Sequence, residues 1–246
     1  GMSVMHEQGD LPIPGIVHIP QPYWYGEGGD MSPDEFGIWA AQQLEAKIQE
    51  LGIDQVGAFI AEPIQGAGGV IIPPESYWPE IARICRERNI LLVADEVICG
   101  FGRTGSWWGS ETYGVTPDLM PIAKGMTSGY QPMGGVLISD RVAGPVMEKA
   151  GEFYHGYTYS GHPAAAAAGL ASLRILQEEK LVERVRDVLA PKLATLWGGL
   201  ADHPLVGETR TRGFLGAIEL AKNPATGERF GDVASGDKVI GVNLTS

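Results

Sequence analysis

Ile90-Leu91-Leu92-Val93-Ala94, followed at once by Asp95-Glu96, decides the fold. Five apolar residues without polar alternation, closed by two acids, predict a strand buried on both faces, as in a parallel sheet covered by helices. Working outward, Val56 to Ala61 is a second such run, read as a buried strand ending at Glu62-Pro63. Leu119 to Ala123 is a third, ending at Lys124, and Gly135 to Ser139 suggests a fourth. Helical patterns lie between them. Ser32-Pro33-Asp34-Glu35 supplies an N-cap, a proline at the first helical position and a capping-box glutamate. Phe36, Trp39, Ala40, Leu44, Ile48 and Leu51 follow at helical spacing until Gly52. A glycine loop then leads to a helix expected from about Ser76 to Arg88. Strands alternating with amphipathic helices predict an α/β fold with a mostly parallel sheet. Ligands of such sheets sit beyond the carboxyl ends of the strands, where Glu62, Asp95 and Lys124 fall.

From Pro163 the texture changes. An alanine-rich helix (Ala164 to about Gln177) and a second helix (about Leu181 to Leu200) precede Gly213 to Leu220, expected as a strand opening a smaller domain. The first thirty residues are rich in proline, glycine and aromatics and read as an irregular arm. The expected division is therefore an arm over 1–30, a partial large domain over 31–170 and a partial small C-terminal domain over 171–246. The tail from Gly231 to Ser246 has weak periodicity and is assigned no structure.

The formal charge of −12 over 246 residues disfavours nucleic acid and anionic membranes as partners. No run approaches the roughly 18 apolar residues of a membrane span. The N-terminus lacks the basic and apolar regions of a signal peptide, and Gly1 ahead of Met2 reads as a scar of tag removal. The two cysteines, Cys85 and Cys99, have no metal-ligand spacing and build no disulfide framework. These features lead us to expect a soluble, cytoplasmic protein.

Lys124, just past an apolar strand, could form an imine with an aldehyde if burial frees its amine. Taken alone it reads better as a solvated loop lysine, and Asp95 equally well as a plain strand-end acid. The pair says more. Pyridoxal phosphate chemistry needs an imine lysine and an acid facing the pyridine nitrogen, which keeps that nitrogen protonated so that the ring can accept electrons.

Three runs carry a resemblance: Ala58 through Glu62-Pro63-Ile64-Gln65 to Gly69, Asp95-Glu96-Val97 through Gly105, and Pro117-Asp118 through Ala123-Lys124-Gly125. A fourth is His155 through Thr158 to Pro163. With their order and the spacing from Asp95 to Lys124, they resemble class III pyridoxal-phosphate-dependent aminotransferases of the ω-amino-acid:pyruvate type, from about Pro20 to Leu220. The resemblance implies the large domain of a fold type I transferase, with the start of a small α+β domain. It implies that Lys124 holds the cofactor and shuttles a proton, while Asp95 pairs with the pyridinium nitrogen. Val97 would pack on a ring face, a role compatible with an ordinary core valine. Thr158 would donate to the cofactor phosphate in a partner subunit, making a homodimer part of the mechanism. Glu62 would lie near cofactor and substrate, orienting polar groups or serving a structural hydrogen bond, and Gln65 near the ring hydroxyl.

The implied activity moves an amino group from an ω-amino acid or amine to a 2-oxo acid such as pyruvate. Family members are much longer, so the chain reads as truncated at both ends. It is expected to lack the phosphate loop, the stacking aromatic and the substrate-carboxylate arginine, a role not given to Arg212. Such a fragment should bind cofactor weakly and be inactive or nearly so. The alternatives are the adenosylmethionine-dependent aminotransferase of biotin synthesis and a non-catalytic fragment of the scaffold. A nicotinamide oxidoreductase would rest on Gly100-Phe101-Gly102-Arg103-Thr104-Gly105 alone. That run stands apart from its strand and opens no amphipathic helix, so it is disfavoured. Gly66 to Gly69 lacks the lysine and hydroxyl of a phosphate loop and reads as a turn, His155 and His162 as structural, and Trp107-Trp108 as packing. No metal is expected.

Overall fold

The computed structural model describes residues 13–149 and 151–230. The start of the expected arm (1–12) and the tail 231–246 lie outside the described residues. Within the arm, α1 is a single helical turn, Trp24–Glu27. The first long helix, α2, spans Pro33–Leu51. Its capping box is complete: Ser32 Oγ accepts from the Glu35 N–H, and a Glu35 carboxylate oxygen accepts from the Ser32 N–H at 2.9 Å. Gly52, at φ 91°, closes it in a conformation that favours glycine.

A four-stranded sheet follows, alternating with helices: β1 Ala58–Ala61, α3 Tyr77–Glu87, β2 Leu91–Ala94, the short α4 Gly109–Thr112, β3 Leu119–Ile122 and β4 Gly135–Ile138. The strand order is β1-β2-β3-β4; the first three run parallel and β4 antiparallel to β3. Asp118 extends the ladder through its side chain, accepting the Leu92 N–H at 2.9 Å while Arg141 pairs with it at 2.9 Å.

The core lies between the sheet and the α2–α3 pair. Phe36, Leu44 and Ile48 of α2 meet Trp78, Ile81 and Ile84 of α3, with Leu92 beneath. Close approach of α2 to the start of α3 needs Gly37, where a Cβ would stand 2.2 Å from Ser76 Oγ. Trp78 Nε1 donates to the buried Pro63 carbonyl at 3.1 Å, which fixes the turn after Glu62 to the core.

One expectation is corrected. β1 is an edge strand covered on one face: Phe59 and Ala61 pack on the core, whereas Ile60 is 60% exposed. An unbroken apolar run cannot reveal that one of its faces is open.

After α5 (Asp140–Lys149) comes α6 (Pro163–Glu178). The helix expected over 181–200 is α7 Leu181–Arg184, a π-helical stretch Val185–Leu189 and α8 Ala190–Gly198. A second, antiparallel sheet contains β5 Val206–Arg212, β6 Leu215–Asn223 and β7 Glu228–Arg229, in the order β5-β6-β7. The strand read over 213–220 is thus its middle strand, preceded by β5, which the sequence reading missed. Arg210 of β5 donates from Nε to the Val70 carbonyl at 3.0 Å and from Nη2 to the Gly69 carbonyl at 2.6 Å. These bonds bind the second sheet to the loop that follows Glu62.

Candidate active site at the strand ends

Parallel register sets three acids and an amine at one end of the sheet. Ala61 lies beside Ala94, and the Asp95 N–H donates to the Ala61 carbonyl at 2.9 Å. One residue on, the Glu96 N–H donates to the Pro121 carbonyl of β3 at 3.0 Å. Glu62, Asp95-Glu96 and Lys124 therefore leave three adjacent strands in the same direction.

Asp95, half-buried, accepts the Val97 N–H at 3.0 Å, which fixes both the carboxylate and the entry to the next loop. Glu62 accepts the Gly66 N–H at 2.9 Å. Burial holds the Glu62 carboxyl above the usual glutamate range and the negative charge of Asp95 adds to this, while the Gly66 bond and the positive charge of Lys124 act against it. The three charges share one neighbourhood. Lys124 opens a 3-10 turn, Lys124–Met126, with φ 41°, a left-handed conformation rare outside glycine. Its side chain is exposed.

Of the adjacent acids, Glu96 is the buried one, at 0% exposure. It accepts the N–H groups of Gly109 and Ser110 at 2.8 and 2.7 Å, tying α4 to the end of β2, and burial raises its carboxyl above the usual range. Sequence reasoning assigned it nothing, since its partners sit in a segment without helical pattern.

Val97 is half-buried beside Asp95. Gln65 pairs through its backbone with Ile71 at 3.1 and 3.0 Å, in the loop that Glu62 opens. Thr158 stands apart, in an exposed turn flanked by Tyr157 and Tyr159, 77% and 82% exposed. Among the described residues the structure thus gathers Glu62, Gln65, Asp95, Val97 and Lys124 at one end of the sheet, with Thr158 on a separate segment.

The neighbouring motifs have structural uses. At Gly102 (φ 90°) a Cβ would come within 2.9 Å of Val182 Cγ2, and at Gly105 within 3.2 Å of Arg186 Cα. The Phe214 N–H donates to the Arg103 carbonyl at 2.8 Å. This glycine run seats α7, the π stretch and the second sheet. Gly66 to Gly69 forms a turn, with Gly69 N–H donating to the Gly66 carbonyl at 3.1 Å. His155 packs between Phe153 and Tyr157, and Arg212 pairs with Glu75 and lies over the Tyr113 ring at 5.7 Å. Among the described residues no group of three His, Cys, Asp or Glu is arranged to hold a metal, and no helix is long and apolar enough to cross a membrane.

The donor set suits an aldehyde-bearing pyridine. An amine can condense with the aldehyde, one carboxylate can face the ring nitrogen, and a second can orient polar groups beside them.

Residues 3–244 match the family model described as aminotransferase class-III. The chain is 65% identical over 236 residues to a putrescine–pyruvate aminotransferase of Pseudomonas aeruginosa, covering 96% of this chain and 52% of the relative. It is 44% identical to a diaminobutyrate–2-oxoglutarate transaminase of Halomonas elongata, covering 94% and 50%. The crystal structure of an (S)-enantioselective ω-transaminase from Thermomicrobium roseum superposes with a TM-score of 0.84 at 44% identity, covering 89% of this chain and 48% of that one. The chain spans about half the length of the curated relatives it matches.

Proposed function

This chain belongs to the class-III aminotransferase family, with the α/β architecture of fold type I transferases, and on that premise we propose that it carries the cofactor-anchoring part of a pyridoxal-phosphate-dependent transaminase. The whole protein moves an amino group from an ω-amino acid, amine or diamine to a 2-oxo acid such as pyruvate. The observation that carries this reading is the shared neighbourhood of Glu62, Asp95 and Lys124 at adjacent strand ends.

When bound, pyridoxal phosphate supplies an aldehyde for the amino group and a ring that accepts electrons from the substrate carbon. The chain's own residues do the rest. Lys124 Nζ is the amine that would hold the cofactor and would serve as base and acid for the proton of the substrate's amine-bearing carbon. The Asp95 carboxylate would pair with the pyridine nitrogen and hold a proton there. Val97 would pack on a ring face, Gln65 would lie near the ring hydroxyl, and Glu62 would orient polar groups between them. Thr158, on its exposed turn, donates to the cofactor phosphate held by a second subunit, so the working unit is a homodimer.

The substrates named for the two relatives support this amine chemistry over the biotin-pathway alternative. A reducing, cytoplasmic setting is consistent with the two buried free thiols, of which burial pushes Cys99 up to about 12.

Titration with pyridoxal phosphate, followed by visible absorption, tests the reading. We expect weak, saturable growth of an imine band, its discharge by putrescine, and no band in Lys124→Ala. An equal band in that variant would refute the assignment. We further expect little complete turnover by these 246 residues alone; brisk conversion of putrescine and pyruvate would show that the anchoring part suffices.

A further inference from the structure

Lys124 sits in a backbone conformation that its surroundings must impose. Its φ is 41°, and Ser128, four residues on, is also left-handed at 51°. Non-glycine residues persist there when neighbouring structure over-determines them. Two elements meet this turn from different sides. From α6, Ser172 is 8% exposed; its hydroxyl donates to the Gly125 carbonyl at 3.3 Å and bonds the Ser128 hydroxyl at 2.9 Å. On the same helix a Cβ at Gly169 would stand 3.7 Å from the Met126 carbonyl oxygen, so the helix backbone lies directly against the turn.

From the loop that leaves Asp95 comes Phe101. A Cβ on Gly125 would stand 3.0 Å from Phe101 Cβ and 3.2 Å from its ring, so the phenyl group fills the space over Gly125. Phe101 is itself left-handed, at φ 62°, and its ring meets Trp108 edge-on at 5.1 Å. Gly125 is thereby held by a hydroxyl on its carbonyl and an aromatic ring on its Cα. It is the residue that follows the amine.

We infer that Phe101 and Ser172 are positioning residues that clamp Gly125 and so aim the Lys124 amine at the Glu62–Asp95 end of the sheet. Neither touches the reacting atoms. The inference rests on the proposed anchoring role of Lys124 and extends it: the loop that begins at Asp95 returns to brace the lysine, so both anchors of one heterocycle share a support.

Two readouts test it on Phe101→Ala and Ser172→Ala, with Phe101→Tyr as the conservative control. The first, amide hydrogen exchange, needs no cofactor. Losing the two part-buried hydrogen bonds of the Ser172 hydroxyl should speed exchange at Gly125 to Ser128 by about fivefold or more in Ser172→Ala, with α2 unchanged. The second is the rate of borohydride-trapped pyridoxal phosphate labelling at Lys124, expected to fall in both alanine variants and to recover in Phe101→Tyr. Labelling of the alanine variants at the wild-type rate would overturn the clamp while leaving the role of Lys124 intact. Exchange that rises equally throughout the chain would also overturn it, by showing that these residues serve the core. Failure of the unaltered chain to label at Lys124 would instead overturn the anchoring role, and the aiming role with it.

Discussion

Glu62 and Glu96 are both held above the usual glutamate range, in each case by burial first, yet they should answer differently to the same substitution. A carboxyl whose folded pKa is raised favours the fold when protonated. The stability it contributes is complete below the unfolded value of about 4.3 and is lost as pH rises through the raised folded value. Glu62 makes one bond, to the Gly66 N–H, that a glutamine oxygen can also accept. Glu62→Gln should therefore raise the melting temperature at pH 8, and the gain should vanish as pH falls toward 4. Because the positive charge of Lys124 works against the raised Glu62 pKa, the gain should be larger in a Lys124→Met background. Thermal melts of the four variants across pH check this, and a gain independent of pH or of Lys124 would place the two groups apart. At this scale the sequence was legible where chemistry is local: Asp95 and Lys124 each end an apolar run. Ser172 was not, because its partner Gly125 is distant in the chain and a lone hydroxyl in an alanine-rich helix gives no signal.

At the scale of elements, Glu96 joins β2 to α4 by accepting two N–H groups with its two oxygens. A glutamine there offers one carbonyl oxygen and turns its amide hydrogens toward the second donor. Although the buried charge is relieved, leaving one buried N–H unsatisfied should cost about 1–3 kcal/mol. Glu96→Gln should thus destabilise at neutral pH, as read by urea denaturation, in the opposite sense to Glu62→Gln. A neutral or stabilising effect would mean that α4 is held by other contacts. Elements with strong punctuation were readable: α2 begins at Ser32 and stops before Gly52, because cap chemistry is encoded within a few residues. β5 was not, since Val206-Gly207-Glu208-Thr209-Arg210-Thr211-Arg212 carries a charge or hydroxyl at every position from Glu208 on, although Val206 is buried and the rest are half-buried. The π stretch at Val185–Leu189 has no sequence punctuation at all; it packs where Gly105 comes close to Arg186.

Across the whole molecule, the fold class followed from alternation of strand and helix patterns, while which faces stay open did not. Ile60 on β1 and Val136, Leu137 and Ile138 on β4 are 60%, 51%, 44% and 54% exposed, so apolar periodicity alone overstated the burial of the sheet's edges. Lys47, Lys149, Lys180, Lys192 and Lys222 lie on helices, at a helix boundary and on β6, whereas Lys124 follows a central parallel strand. That difference is what selects it. The most direct measurement is peptide mapping after brief exposure to pyridoxal phosphate and borohydride reduction. The account predicts that the reduced pyridoxyl mass concentrates on the peptide bearing Lys124 and that Asp95→Asn depletes it there; label spread evenly over the other lysines, unaffected by Asp95→Asn, would contradict it.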